Sequence, residues 1–562
     1  MHRTGRGSRP GAPPVGPSTP LATGVGRRRV RRWRAVPLTA VLLALTAGCA
    51  SLSDPARSAI TERTSDDRPV REGGTLTVAL KSEPDKLDPT LAETLVGRTV
   101  FAAMCEKLYD IDRSGKIVPQ LASALPRTSD GGRTVTITLR RGLRFSDGTQ
   151  LNAQAAAASL MRHRYLPGSA RATELAPLKS AVAAGPYTLT LHLSQPYVPL
   201  TAVLADRAGM VLSPRAVQKY GKNFSNHPSC VGPFTFVERV TGDRIVLKKD
   251  PLYYDADRVH LDKVIFKPIP DGSVRLANLR AGDVQVGDQM DPIDVRSALT
   301  EKNLQLFASP SLGYQGIGFN VGNTRGLGQK PGKIDTPIAR DPRVREAFEL
   351  SLDRDVINKV VFQGMYAPAC GPVSPKSAIA PAAPGCPGRD LKKAKQLLKE
   401  AGAKHPVRLE LKVSTSPVDI RFGQVVQAMA KDAGFAVRLA PTEYTTMLQE
   451  TDAGRYDAYS SGWSGRLDPD GNIASFLGTR GAMNTYGVSD PDIDRLIAEG
   501  RATAGEKARA HIYADLTSRI RDQHALIYLY RNNNYVVARK DVAGVKVYDD
   551  GLVRVKEAGY AR

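Results

Sequence analysis

Residues 134–163 read TVTITLRRGLRFSDGTQLNAQAAAASLMRH, and the hydrophobic period changes once inside them. Val135, Ile137 and Leu139 alternate with polar residues, the period of a half-buried strand. Ser146-Asp147-Gly148 then offers the residues of a tight turn. Asn152 stands where a helix N-cap is needed, and a helical period runs over 152–163. A strand that gives way to a helix within thirty residues sets the pattern for the rest of the chain. GGTLTVAL alternates at Leu76, Val78 and Leu80, and YTLTLHL (187–193), RIVLKK (244–249) and VRLELKVS (407–414) are further strands. DLKKAKQLLKEAG (390–402) is an amphipathic helix. Asp390 caps it, Leu391, Ala394, Leu398 and Ala401 share a face, and Gly402 stops it. Mixed strands and helices over about 490 residues predict an α/β protein of more than one lobe.

The length of 562 residues suggests roughly three or four domain-sized units. Apolar residues make up 41% and are spread evenly, which excludes disorder along the whole chain. The N-terminus stands apart. Residues 1–34 hold nine Arg and no acid, the uncharged run AVPLTAVLLALTAG follows at 35–48, and Cys49 comes next. A basic region, a short apolar run and small residues before a cut are the pattern of an export signal. Fourteen residues are too few to span a membrane, which takes about twenty. Residues 1–48 are therefore expected to be removed. The next segment, 49–72, lacks apolar periodicity and is expected to be a tether; a flexible coil of that size spans roughly 25 Å.

Loss of the leader lowers the formal net charge from +23 to +14. The remaining Lys and Arg are scattered, so no nucleic-acid partner is expected. The positive balance favours residence near an anionic membrane or wall. Besides Cys49 there are four cysteines, an even number in an oxidising compartment, and sequence alone allows three pairings. The loop CGPVSPKSAIAPAAPGC, rich in Pro and Ala, would be tethered by a bridge between Cys370 and Cys386. That pairing is favoured, with Cys105 and Cys230 left to each other.

Residues 461–472, SGWSGRLDPDGN, come close to two known motifs and complete neither. A nucleophile elbow needs Gly-x-Ser-x-Gly, but Arg466 stands where the closing Gly belongs. A calcium loop needs Gly at position six and Glu at twelve, and Ile473 and Thr479 occupy those places. The eight His include no pair at i,i+4 spacing, and there is no phosphate-binding Gly-x-x-x-x-Gly-Lys and no His-Glu-x-x-His. No protein metal site, no cofactor and no enzymatic turnover are expected.

Several blocks, in order, carry a family resemblance over nearly the whole mature chain. LTVALKSEPDKLDPTLAETLVGRTVFAAMCEKLYDID (76–112), the 134–163 block, VGPFTF (231–236), residues 252–284, ARDPRVREAFELSLDRDVI (339–357) and VSDPDIDRLIAEG (488–500) resemble the extracytoplasmic solute-binding proteins of the peptide/nickel importer class. Thr-Ala-Gly-Cys at 46–49 is similar to a bacterial lipobox, which implies lipidation of Cys49 and an extracytoplasmic, membrane-anchored or periplasmic protein. The resemblance implies a two-lobed clamshell of the type II binding-protein kind, with an extra subdomain in a discontinuous lobe I. On this chain lobe I would be 73–312 and 527–562, the subdomain about 106–220, and lobe II 313–526. Crossings would fall at GYQGIGFNV (313–321) and ALIYLYRNN (525–533).

The implied function is delivery of peptides or peptide-like solutes to the permease and ATPase subunits of an ABC importer, by a monomer. Opine-like, glutathione-like or metal–chelate ligands, or a signalling peptide, are the alternatives. Peptide-binding members carry an Asp three residues after a Gly-Trp, where it pairs with the peptide ammonium. Here Arg466 holds that place, and Asp468 follows two positions later. An Arg fork suits a carboxylate, so Arg466 is expected to meet a ligand anion or to brace Asp468. Trp463 would wall the cleft. Asn484, Tyr486, Tyr314 and Asn320 complete the candidate contacts.

Overall fold

The computed structural model describes residues 63–380 and 385–562. The leader, Cys49 and most of the expected tether lie outside the described residues. Two mixed sheets organise the molecule. The first has seven strands in the order Leu304–Pro310, Asn533–Arg539, Val286–Gly287, Thr75–Leu80, Lys263–Pro268, Arg244–Lys249 and Phe234–Val240. The second has six: Ala367–Pro368, Leu526–Arg531, Tyr314–Phe319, Ala458–Trp463, Val407–Ser414 and Phe435–Thr442. Each builds its own core, the first around residues such as Leu76, Val78 and Phe266, the second around Ile317, Phe348, Leu411 and Val426. The sheets and the helices on them form two lobes, an α/β clamshell.

The chain passes between the sheets twice. It leaves the first after Pro310 and enters the second at Tyr314; it leaves the second after Arg531 and re-enters the first at Asn533. The return falls inside the expected crossing segment 525–533, though later than the lobe boundary expected at 527. Leu526–Arg531 instead stays in the second sheet, because its backbone pairs with Gln315–Gly318, and the crossing moves to Asn532. Alternation in ALIYLYRNN announces a strand but cannot say which sheet receives it.

The opening block folds as its periods predict. Thr134–Thr138 is a strand, and Ala153–Tyr165 is a helix whose Ala155 N–H is capped by the Asn152 side chain. The strand joins Arg127–Ser129, Thr188–Leu193 and Leu178–Gly185 in a four-stranded antiparallel sheet, the nucleus of a subdomain attached to the first lobe. Leu391–Glu400 is likewise helical, capped by Asp390. Cys105 is bonded to Cys230 and Cys370 to Cys386.

Residues 63–71, expected to belong to a tether, are built into the first lobe. Val70–Arg71 pairs with Gly559–Ala561, and Ser65 bridges to Lys546. Carbonyls of Arg63, Thr64 and Asp66 accept the N–H groups of Ala308, Val547 and Gly544. Asp66 is buried and takes the Arg68 guanidinium. This attachment uses backbone and charged side chains, including the Asp67–Arg113 ion pair, so it leaves no hydrophobic period to read.

Candidate functional site: a cleft between the lobes

A cavity of about 460 Å³ lies between the two sheets, within the usual size range of small-ligand sites. Both lobes line it. The first contributes Lys81, Glu83, Glu93, Thr94 and Asp291; the second contributes Asp419, Tyr444, Asp452, Tyr459 and Trp463; Asn532 lies at the crossing. Lys81 follows directly on the C-terminal end of Thr75–Leu80, and Ser414 ends Val407–Ser414. Both strands have parallel neighbours, and ligands of α/β sheets gather at such strand ends.

The aromatic part of the wall is fixed from behind. The Trp463 indole N–H reaches the Gly471 carbonyl and the Asn472 side chain, both at 3.1 Å, and its ring meets Phe476 edge-on. Tyr459 is held by Thr485 at 3.0 Å. Burial with a satisfied polar tip leaves such rings as rigid surfaces for a ligand.

The charged part is mostly acidic. Lys81 is the one Lys or Arg among the described lining residues. Burial opposes its charged form, but Asp419 and Asp291 outweigh that and raise its pKa. Glu83 is matched by Arg239 at 2.7 Å. Glu93 and Asp452 face the same cavity from opposite lobes. Burial, then the Asp452 and Asp85 carboxylates, push Glu93 up to about 7. Burial and Asp85 push Asp452 up to about 6, against Lys86. Such a cleft can take an anionic group at Lys81 and a cationic group at the acids.

Of the seven residues singled out from sequence, Trp463 lines this cavity and the other six are engaged elsewhere. The Arg466 guanidinium lies over the Trp463 ring at 4.1 Å, and its Nε is 2.6 Å from Asp206 of the other lobe. It therefore braces the wall, and the carboxylate it meets is the protein's own. Burial lowers its pKa to about 10, so it stays charged at neutral pH. Asp468 takes both ends of the Arg509 fork, at 2.7 and 2.8 Å, and not Arg466. Asn484 ties Gly478 to Val488, and the Tyr486 hydroxyl bonds Ser461 at 2.6 Å. The Tyr314 hydroxyl donates to the Asn472 carbonyl, and Asn320 donates to Asn323 and Gly454.

The loop 461–472 thus answers to the opposite lobe. Arg98 Nη1 donates to Ser464 at 3.1 Å, Tyr197 donates to Asp470 at 3.2 Å, and Asp470 is paired with Arg501 at 2.6 Å. Arg501 Nη2 reaches the Thr173 carbonyl, and Val198 N–H donates to Arg501. Thr173, Tyr197, Val198 and Asp206 all belong to the subdomain. Among the described residues no group of three or more His, Cys, Asp or Glu is placed to hold a metal, and no helix is long and apolar enough to cross a membrane.

Two lobes built on mixed sheets thus enclose a ligand-sized cavity. Residues 116–484 match the bacterial extracellular solute-binding proteins, family 5 (Middle), and the chain belongs to that family. It is 33% identical over 326 residues to the glutathione-binding protein GsiB of Salmonella choleraesuis, a match covering 58% of this chain and 61% of the relative. The match thus spans about three-fifths of the length of that curated relative. Among solved structures, AgaA of A. tumefaciens R10 in complex with agropinic acid aligns with a TM-score of 0.78 at 24% identity, covering 87% of this chain and 99% of that one. The murein tripeptide-binding protein MppA of Escherichia coli aligns at 0.79 and 23% identity, over 88% and 99%. At these identities the likeness establishes the fold.

Proposed function

We propose that this chain captures a peptide or peptide-like solute in the cleft and presents it to the permease and ATPase subunits of an ABC importer. The carrying observation is a 460 Å³ cavity whose polar and aromatic walls come from both lobes, so that a ligand would bridge them. A solute that touches both walls stabilises the closed form, because only that form makes both sets of contacts. Moving an open:closed ratio from 99:1 to 1:99 takes about 5.5 kcal/mol of differential binding. Hydrogen bonds to fixed groups and one or two desolvated charge contacts supply energies of that order.

A zwitterion fits the charge layout, its carboxylate towards Lys81 and its ammonium towards Asp419, Glu93 and Asp452. The glutathione-binding relative favours a glutathione-like solute within that class. Turnover has no place in this reading. Ser464 accepts its hydrogen bond from Arg98, and no His is among the described lining residues. Cys49 would anchor the protein outside the membrane through a lipid; Cys49→Ser should then move it from the membrane to the soluble fraction.

Native mass spectrometry of residues 50–562, purified without denaturation, tests the solute. A ladder of short-peptide masses would establish a broad peptide receptor, and a single added mass of a tripeptide-sized thiol would establish the glutathione-like one. A single added mass lacking either an amine or a carboxylate would overturn the zwitterion reading.

A further inference from the structure

Behind the loop that carries Glu93 and Thr94, four arginines and two acids are buried together. Arg171 and Arg207 are fully buried, Arg98 nearly so, and the Arg466 side chain is 9% exposed. Two acceptors tie the guanidiniums to one place. The Ala92 carbonyl takes Arg207 Nη1 at 2.7 Å and Arg171 Nη2 at 3.3 Å. Asp206 takes Arg466 Nε at 2.6 Å and Arg98 Nε at 3.1 Å. Glu174 pairs with Arg171 at 2.6 Å.

The charges do not balance. Four guanidiniums face two carboxylates, and the nearby Asp470 and Asp550 are committed to Arg501 and Arg554. Four N–H positions in the cluster, Arg171 Nε, Arg207 Nε, Arg207 Nη2 and Arg466 Nη2, have no hydrogen-bond partner; on the acceptor side Glu174 Oε2 has none, and Asp206 Oδ2 has only its ion pair with Arg466. Arginine does not lose its proton in proteins. A buried, unpaired charge is costly unless something compensates it. Arg207 is the extreme case: among the described residues it makes no ion pair within 4 Å, and its one side-chain hydrogen bond is to a carbonyl.

We propose that these arginines bind one monovalent anion, a halide or a carboxylate, in the wall between the lobes. Arg98, Arg171 and Arg207 come from the first lobe and its subdomain, and Arg466 from the second. The anion is bound fully when the lobes meet, so its binding and closure favour each other, as linkage requires. The site is separate from the cleft lining, although Ser464 belongs to the cleft and touches both Arg98 and Arg466.

Trp463 supplies the reporter. The sequence has two Trp, and Trp33 lies in the leader, so residues 50–562 carry Trp463 alone. In that protein, sodium methanesulfonate, neither a halide nor a carboxylate, is replaced by sodium chloride, or in a second series by sodium formate, at constant ionic strength. We expect a saturable change in Trp463 emission, with the half-saturating concentration raised at least tenfold in Arg207→Met. A response to chloride identifies a free halide; a response to formate alone identifies a small free carboxylate. Crystals grown in bromide should show an anomalous peak among the guanidiniums if the halide is the occupant. No saturable response to either anion, or a response unchanged in Arg207→Met, overturns the proposal. Should Arg207→Met fail to fold, Arg207→Lys, which keeps the charge and loses the fork, decides by the same tenfold criterion. The solute-receptor reading survives either outcome.

Discussion

Arg466 is the side chain that the sequence points towards a carboxylate without saying which one. A fork that seeks a carboxylate is legible in W-S-G-R-x-D-P-D; that the carboxylate is Asp206, about 260 residues away along the chain, is not. Removing one partner of a buried pair costs roughly 3–5 kcal/mol. Arg466→Ala is therefore expected to lower the urea midpoint clearly, while Lys248→Ala, on an exposed strand position, stays within about 0.5 kcal/mol of the parent. In a double-mutant cycle, Arg466→Ala with Asp206→Ala should cost less than the sum of the two. Additive losses would show that the pair is not coupled. Glu93 gives a pH signature of the same kind. Its folded pKa, raised to about 7, lies above the unfolded value near 4.3. Between those values the folded protein holds more protons, so its stability falls as pH rises. Glu93→Gln removes that contribution and should raise Tm relative to the parent more at pH 7.5 than at pH 4.5. Asp85, Asp452, Lys86, Arg171 and Tyr444 surround the carboxyl. An equal Tm difference at both pH values would exclude a raised Glu93.

At the scale of elements, the strands, helix caps and stops were the most legible part of the chain, because they follow from local period and cap chemistry. Asn152 and Asp390 cap as their positions suggest. The cleft residues were legible only in part. Trp463 was found from its motif, whereas Lys81, Asp419 and Asp452 sit at strand ends and helix ends in stretches with no local mark. Knowing the sheet order is what makes Lys81 visible. Gly465 has no part in either motif that the loop resembles. Set against an enzyme's elbow it comes one residue early, but its φ of +85° and its close packing on the Leu312–Gly313 backbone give it a use of its own. Gly465→Ala puts a Cβ into that backbone, and we expect a drop of more than 2 kcal/mol in unfolding free energy, above the usual cost of a left-handed Ala. The Cys370–Cys386 link closes a short loop beside the second sheet. By chain entropy a loop of this size is stabilised by about 3 kcal/mol. Cys370→Ser/Cys386→Ser should lose up to that amount in denaturant unfolding, and no loss would mean that the loop is held by its other contacts.

At the scale of the molecule, the order of blocks along the chain announced the two-lobed architecture, while the seam between lobes had to be seen. Its contacts join residues far apart in sequence: Arg98 to Ser464, Tyr197 to Asp470, Thr173 to Arg501. No periodicity encodes such pairs. The N-terminal segment makes the same point. Residues 63–71 read as linker, yet they complete one edge of the first lobe through Val70–Arg71 and the buried Asp66. Starting the chain at residue 73 instead of 50 should lower Tm by several degrees, read by calorimetry; an unchanged Tm would show that the edge strand adds nothing. That seam of backbone has a mechanical meaning. Any load carried by the leash ahead of residue 63 enters the first lobe across a line of hydrogen bonds, with the second lobe left unburdened. The first lobe is then the door frame and the second the door. If Cys49 is lipidated as proposed, that anchor would leave the swing of the door free.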